Sequence, residues 1–60
     1  MNGTTIEIQK IAGVNLEQAL DIQETIDSEA LLDWSEATAR EIVKATYIAQ
    51  AFIANGRSWE

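Results

Sequence analysis

Cysteine, histidine and proline are all absent from this 60-residue sequence, which is also poor in aromatic and basic side chains. Without cysteine there is no disulfide and no thiol nucleophile, and without histidine as well the soft-ligand zinc and iron sites are excluded. The usual general base and the Ser-His-Asp arrangement are missing too, so the chain is not expected to be an enzyme. Of its serines, Ser28 and Ser35 stand at helix-start positions, where capping explains them better than nucleophilic chemistry. Gly3, Gly13 and Gly56 are isolated and mark helix ends, so no phosphate-cradling loop is present and no cofactor is expected. A calcium loop of the EF-hand type needs a central glycine, and the stretch from Asp21 to Asp33 has none.

Positive charge is the next shortage: four basic residues stand against ten acidic ones, for a net charge of −6. From Ile11 to Ala39 there is no lysine or arginine, while that stretch holds Glu17, Asp21, Glu24, Asp27, Glu29, Asp33 and Glu36. Phosphate contacts need a cationic surface, so direct nucleic-acid binding is disfavoured and a basic protein partner is the complement expected. Long apolar runs are also lacking. The most apolar window, Ile42 to Ala54, is interrupted by Lys44 and Gln50 and falls short of the roughly 20 residues that a membrane span requires. The opening Met1-Asn2-Gly3-Thr4-Thr5 has neither a basic nor an apolar segment of signal-peptide type, which leads us to expect a cytoplasmic protein without membrane attachment.

What is present reads as one small domain over residues 1–60, with no linker and no repeat. Thr4 and Glu7 have the spacing of a capping box, Ile8, Ile11 and Ala12 follow at helical intervals, and Gly13 is a stop, which predicts a short helix over 5–12. The alternation in Thr5 to Gln9 also fits a strand. Asn15 and Gln18 form a second cap pair, and Leu16, Ala19, Leu20, Gln23 and Ile26 recur on one helical face with Glu17, Asp21 and Glu24 opposite. Because Val14, Leu16, Leu20, Ile22 and Ile26 are all even-numbered, a strand or hairpin over 14–27 competes with that helix and would make the chain α+β.

The C-terminal half predicts one long amphipathic helix. Asp33 and Glu36 resemble an N-terminal capping pair, Asn55-Gly56 is a stop, and the intervening 22 or so residues would extend about 33 Å. A Ser28 cap would start it earlier still. Glu36, Arg40 and Lys44 lie on its outer side, and Trp34, Ile42, Ala45, Ile48, Ala49, Phe52 and Ile53 on its apolar side. Tyr47 falls at the boundary, and Trp59 either folds back on Phe52 and Ile53 or anchors a partner. The fold class expected is therefore all-α, with short N-terminal helices folded on one long helix. Such a helix outruns its cover, so part of the stripe, taken as Trp34, Ile42, Ala45, Ala49 and Phe52, is assigned to self-association in a homodimer.

The functional expectation is an acidic protein-binding module. Carboxylates at 17, 21 and 24 on one helix are about 5 to 6 Å apart and roughly imitate the spacing of phosphates along a nucleic-acid strand. In its narrow form this is a nucleic-acid mimic, a small inhibitor of the phage or mobile-element kind (anti-CRISPR or anti-restriction like) seated on the basic surface of a nucleic-acid-handling protein. The alternative is a helical oligomeric structural or adaptor subunit that works through the apolar stripe.

Overall fold

The structure, a computed structural model, describes residues 3–59. Three helices, α1 (Gly3–Ala12), α2 (Leu16–Ser28) and α3 (Ala39–Ala54), each pack against the other two, and a single 3-10 turn, Trp34–Glu36, lies in the connection between α2 and α3. No strand occurs among the described residues, so the α+β alternative over 14–27 falls.

Local chemistry sets the boundaries. Asn15 Oδ1 accepts from the Gln18 amide at 2.8 Å while Gln18 Oε1 accepts from the Asn15 amide at 3.2 Å, the reciprocal exchange anticipated for the start of α2. Gly13 and Gly56 adopt φ of +66° and +71°, the left-handed stops that only glycine takes without cost. Thr4, by contrast, lies inside α1, which begins at Gly3, so the Thr4/Glu7 pair does not cap it.

The long C-terminal helix is the main correction. α3 has 16 residues, about 24 Å, and starts five to six residues later than the Asp33/Glu36 pair implied. Its N-cap is Thr38: the hydroxyl accepts from the Glu41 amide at 3.3 Å, and Glu41 Oε1 accepts from the Thr38 amide at 3.2 Å. Asp33 instead caps the 3-10 turn, accepting from the Ser35 amide and hydroxyl at 3.1 and 2.7 Å. Ala37 and Thr38 are extended, which separates that turn from α3. Ser28 caps nothing downstream; it ends α2, and its hydroxyl donates to the Thr25 carbonyl. Just beyond, Ala30 reverses the chain at φ +52°, with the Leu31 amide bonded to the Ile26 carbonyl at 3.0 Å and the Ala30 amide to that of Asp27 at 3.3 Å. This is a Schellman closure with alanine where glycine is usual.

The core follows from the true helix faces. Ile8 of α1, Ala19, Ile22 and Ile26 of α2, and Ala45 and Ala49 of α3 are buried together, with Phe52 at the edge. Alanines at 19, 45 and 49 put small side chains in this core, which permits helix backbones to approach closely there. On α2 the buried set Ala19, Ile22, Thr25 and Ile26 has a helical period, and Leu20, expected on the core face, is 45% exposed. Two buried threonines return their hydroxyls to their own helix, Thr25 to the Asp21 carbonyl at 2.9 Å and Thr46 to that of Ile42 at 2.7 Å. Among the described residues no buried side-chain nitrogen or oxygen lacks a partner.

Candidate functional site

The feature with most chemical character is the solvent side of α2 together with the segment that follows α3. Helical spacing puts Glu17, Asp21 and Glu24 in one row, with Leu20 between them. Glu17, Leu20 and Glu24 are exposed and Asp21 is half-buried. α2 carries no lysine or arginine, so nothing on the helix itself neutralises this row. Glu17, in the first turn, also complements the positive end of the helix dipole.

Neutralisation comes from far along the chain. The end of α3 closes through Arg57 N–H to Phe52 O at 2.9 Å and Gly56 N–H to Ile53 O at 3.1 Å, and Asn55 Nδ2 donates to the Ser58 carbonyl at 2.9 Å. Arg57 also takes a positive φ, +61°, and this double reversal turns the segment back along the helices. One guanidinium nitrogen of Arg57 then donates to both carboxylate oxygens of Asp21 at 2.7 Å, and the other nitrogen lies 3.5 Å from Thr25 Oγ1. Two residues on, the Trp59 ring rests 4.4 Å from that of Phe52 at a 41° tilt, and its indole N–H donates to Glu29 at 2.9 Å. Trp59 remains 56% exposed even so.

Electrostatics agree with these contacts. The hydrogen bond from Arg57 to Asp21 and then the charge of Asp21 raise the Arg57 guanidinium above its ordinary range; desolvation opposes them, and the charge of Glu24 adds the least. Because the pair is exposed at both ends, salt screens it. Asp33 is held below the usual carboxylate value by the Ser35 hydroxyl first and the Ser35 amide second.

Of the acidic residues singled out by sequence, Asp21, Asp27, Glu29 and Asp33 are engaged within the chain: Asp21 by Arg57, Asp27 by the Trp34 indole, Glu29 by the Trp59 indole and Asp33 by Ser35. Glu17, Glu24 and Glu36 are exposed, and among the described residues none of them forms an ion pair or accepts a hydrogen bond. The set therefore divides into Glu17 and Glu24 on α2 and Glu36 in the 3-10 turn, which are unengaged, and Asp21, Asp27, Glu29 and Asp33, which fasten Arg57, the two tryptophans and a turn. Glu36 lies outside α3, and no ion pair joins it to Arg40. The apolar set divides as well. Ala45, Ala49 and Phe52 are consumed by packing within the chain, and Trp34 and Ile42 are half-buried. With α3 at 16 residues and α2 at 13, the excess helix length that called for a second copy does not exist.

Sequence reasoning missed Arg57 and the role of Thr25. The available signal was the glycine stop itself: a left-handed reversal at Gly56 sends the next residues back over the bundle, and Arg57 is the first of them. No family model, curated protein or solved structure matches the chain. Among the described residues, no cluster of three or more carboxylate side chains is placed to hold a metal ion, and no helix is long and apolar enough to cross a membrane.

Proposed function

We propose that the chain is an acidic docking module whose α2 face binds a basic surface on a partner protein. The observation that carries this reading is the row on α2 itself: exposed Glu17 and Glu24 flank an exposed Leu20 on a helix with no cation. Carboxylates around a single leucine suit a partner helix or loop that presents lysine or arginine around an apolar spot. Asp21, in the middle of the row, adds support because it already holds a guanidinium.

In its narrow form the partner is a nucleic-acid-handling protein and the module an inhibitor that occupies its cationic groove. The spacing of the α2 carboxylates, about 5 to 6 Å, is the physical basis for that form. A lysine-rich peptide with one central leucine is a direct probe. Its affinity should fall steeply with added salt, and Glu17→Lys combined with Glu24→Lys should abolish binding while leaving the helical circular dichroism intact. Equal affinity for the charge-reversed variant would remove the reading. Asp21 is left out of the reversal because it fastens Arg57.

A further inference from the structure

The segment Asn55–Trp59 does more than end α3. Its Arg57 and Trp59 reach a composite seat made by Asp21, Thr25, Glu29 and Phe52, so that a cation and an aromatic ring two residues apart are held at once. Here we infer that this segment is an autoinhibitory strap: it fills the seat from within the chain, and a partner segment carrying an arginine and an aromatic ring at the same spacing displaces it.

Three observations point the same way. The chemistry of the occupant is given by the strap, a guanidinium on Asp21 with an indole against Phe52 and Glu29. The side-chain contacts that seat the strap lie at the surface: the Arg57 side chain is 53% exposed, that of Asp21 39%, and Trp59 56%, so solvent and salt compete with the ion pair and the indole contact. Arg57 is also held at φ +61°, a region that L side chains avoid, so closure works against a local backbone preference. Opening would release that backbone, free the Asp21 and Glu29 carboxylates and uncover the Phe52 ring on which Trp59 rests, adding an aromatic anchor to the acidic row of α2. Tight binding to the exposed row alone would leave Phe52 unused; displacing the strap recruits it. The inference rests on the docking role of α2 proposed above and names the partner's chemistry: arginine followed two residues later by an aromatic ring.

The test uses a synthetic peptide of three Arg-Ser-Trp repeats at low salt, titrated against the full chain and against Arg57→Ala and Trp59→Ala, which open the strap from either end. Circular dichroism verifies that each variant keeps its helices. Both variants should bind the peptide at least about 5-fold more tightly than the parent chain, and adding Asp21→Asn to either should cancel the gain, as expected when an internal competitor is removed. If parent and variants bind equally, the strap is overturned while the acidic role of α2 stands. If none of them binds, the strap is overturned, and the lysine-rich, leucine-centred peptide decides separately whether the acidic role of α2 stands. Should Arg57→Ala lose its helices, Trp59→Ala decides the outcome by the same criterion.

Discussion

Thr38 and Glu41 exchange hydrogen bonds across the first turn of α3, backbone to side chain in both directions, at 3.2 and 3.3 Å. This exchange, and not the acidic pair upstream, fixes where the helix begins. Replacing Thr38 with alanine should lower the stability of the domain by about 1 kcal/mol, read as a lower urea midpoint with an unchanged slope. Asp33→Ala, which removes the cap of a single 3-10 turn, should cost less. The reverse ranking would mean that α3 starts before Ala39.

Ala30 occupies a left-handed conformation, φ +52°, at the Schellman closure of α2. A left-handed alanine is disfavoured by roughly 1 to 2 kcal/mol, whereas glycine loses about 0.5 to 1 kcal/mol in unfolded-state entropy. Ala30→Gly should therefore stabilise the chain by about 0.5 to 1 kcal/mol, visible as a higher melting temperature. A lower one would contradict the backbone assignment there.

Ala49 is fully buried between helices of the same chain. Ala49→Leu should overpack that contact and destabilise by about 1 to 3 kcal/mol. Ala49→Glu should unfold the protein, because an unpaired carboxylate would enter the core. Both effects should be the same at micromolar and at hundreds of micromolar protein. A loss of stability that shrinks as concentration rises would place Ala49 between copies instead.

Asp33 titrates below the ordinary carboxylate value because Ser35 hydrogen-bonds its charged form. A group with a depressed folded-state pKa contributes stability that is present above its unfolded value, near 3.8, and is lost as pH falls through the folded value. Ser35→Ala should move the Asp33 carboxyl back towards the ordinary value in a carbon-detected NMR titration. It should also reduce the stability gained on going from strongly acid to neutral pH. An unchanged Asp33 titration would show that the hydroxyl is not the main cause.

Much of the fold was legible because it is written in short-range chemistry. Asn15 with Gln18, Gly13 and Asn55-Gly56 mark boundaries that need no tertiary information. The all-helical class was legible too, from the Asn15/Gln18 cap pair and the helical recurrence of Ala19 and Ile26, although Ile22, buried on the same face, counted only towards the strand pattern. Leu20 contributed to the false strand signal and also distorted the helical face, because it is apolar yet exposed.

The start of α3 was misread for a different reason. Two sequences of cap type lie five residues apart, Asp33 to Glu36 and Thr38 to Glu41, and local pattern does not rank them. The left-handed turn at Ala30, an alanine in a position that usually announces itself as glycine, gave no warning that α2 and α3 are separated by a long connection. At the candidate site, the α2 row could be read from spacing, but its partition into free and engaged carboxylates could not. Asp21 meets Arg57 across 36 positions, and Glu29 meets Trp59 across 30, distances over which sequence pattern carries no contact information.

The measurement that bears most directly on the role of α2 is a nitrogen–proton NMR titration of the full chain with the lysine-rich, leucine-centred peptide. The account predicts that shift changes gather at Glu17, Leu20 and Glu24 and shrink together as salt is raised. Changes gathered instead on the outer surface of α1 or α3, or none at low salt, would contradict it.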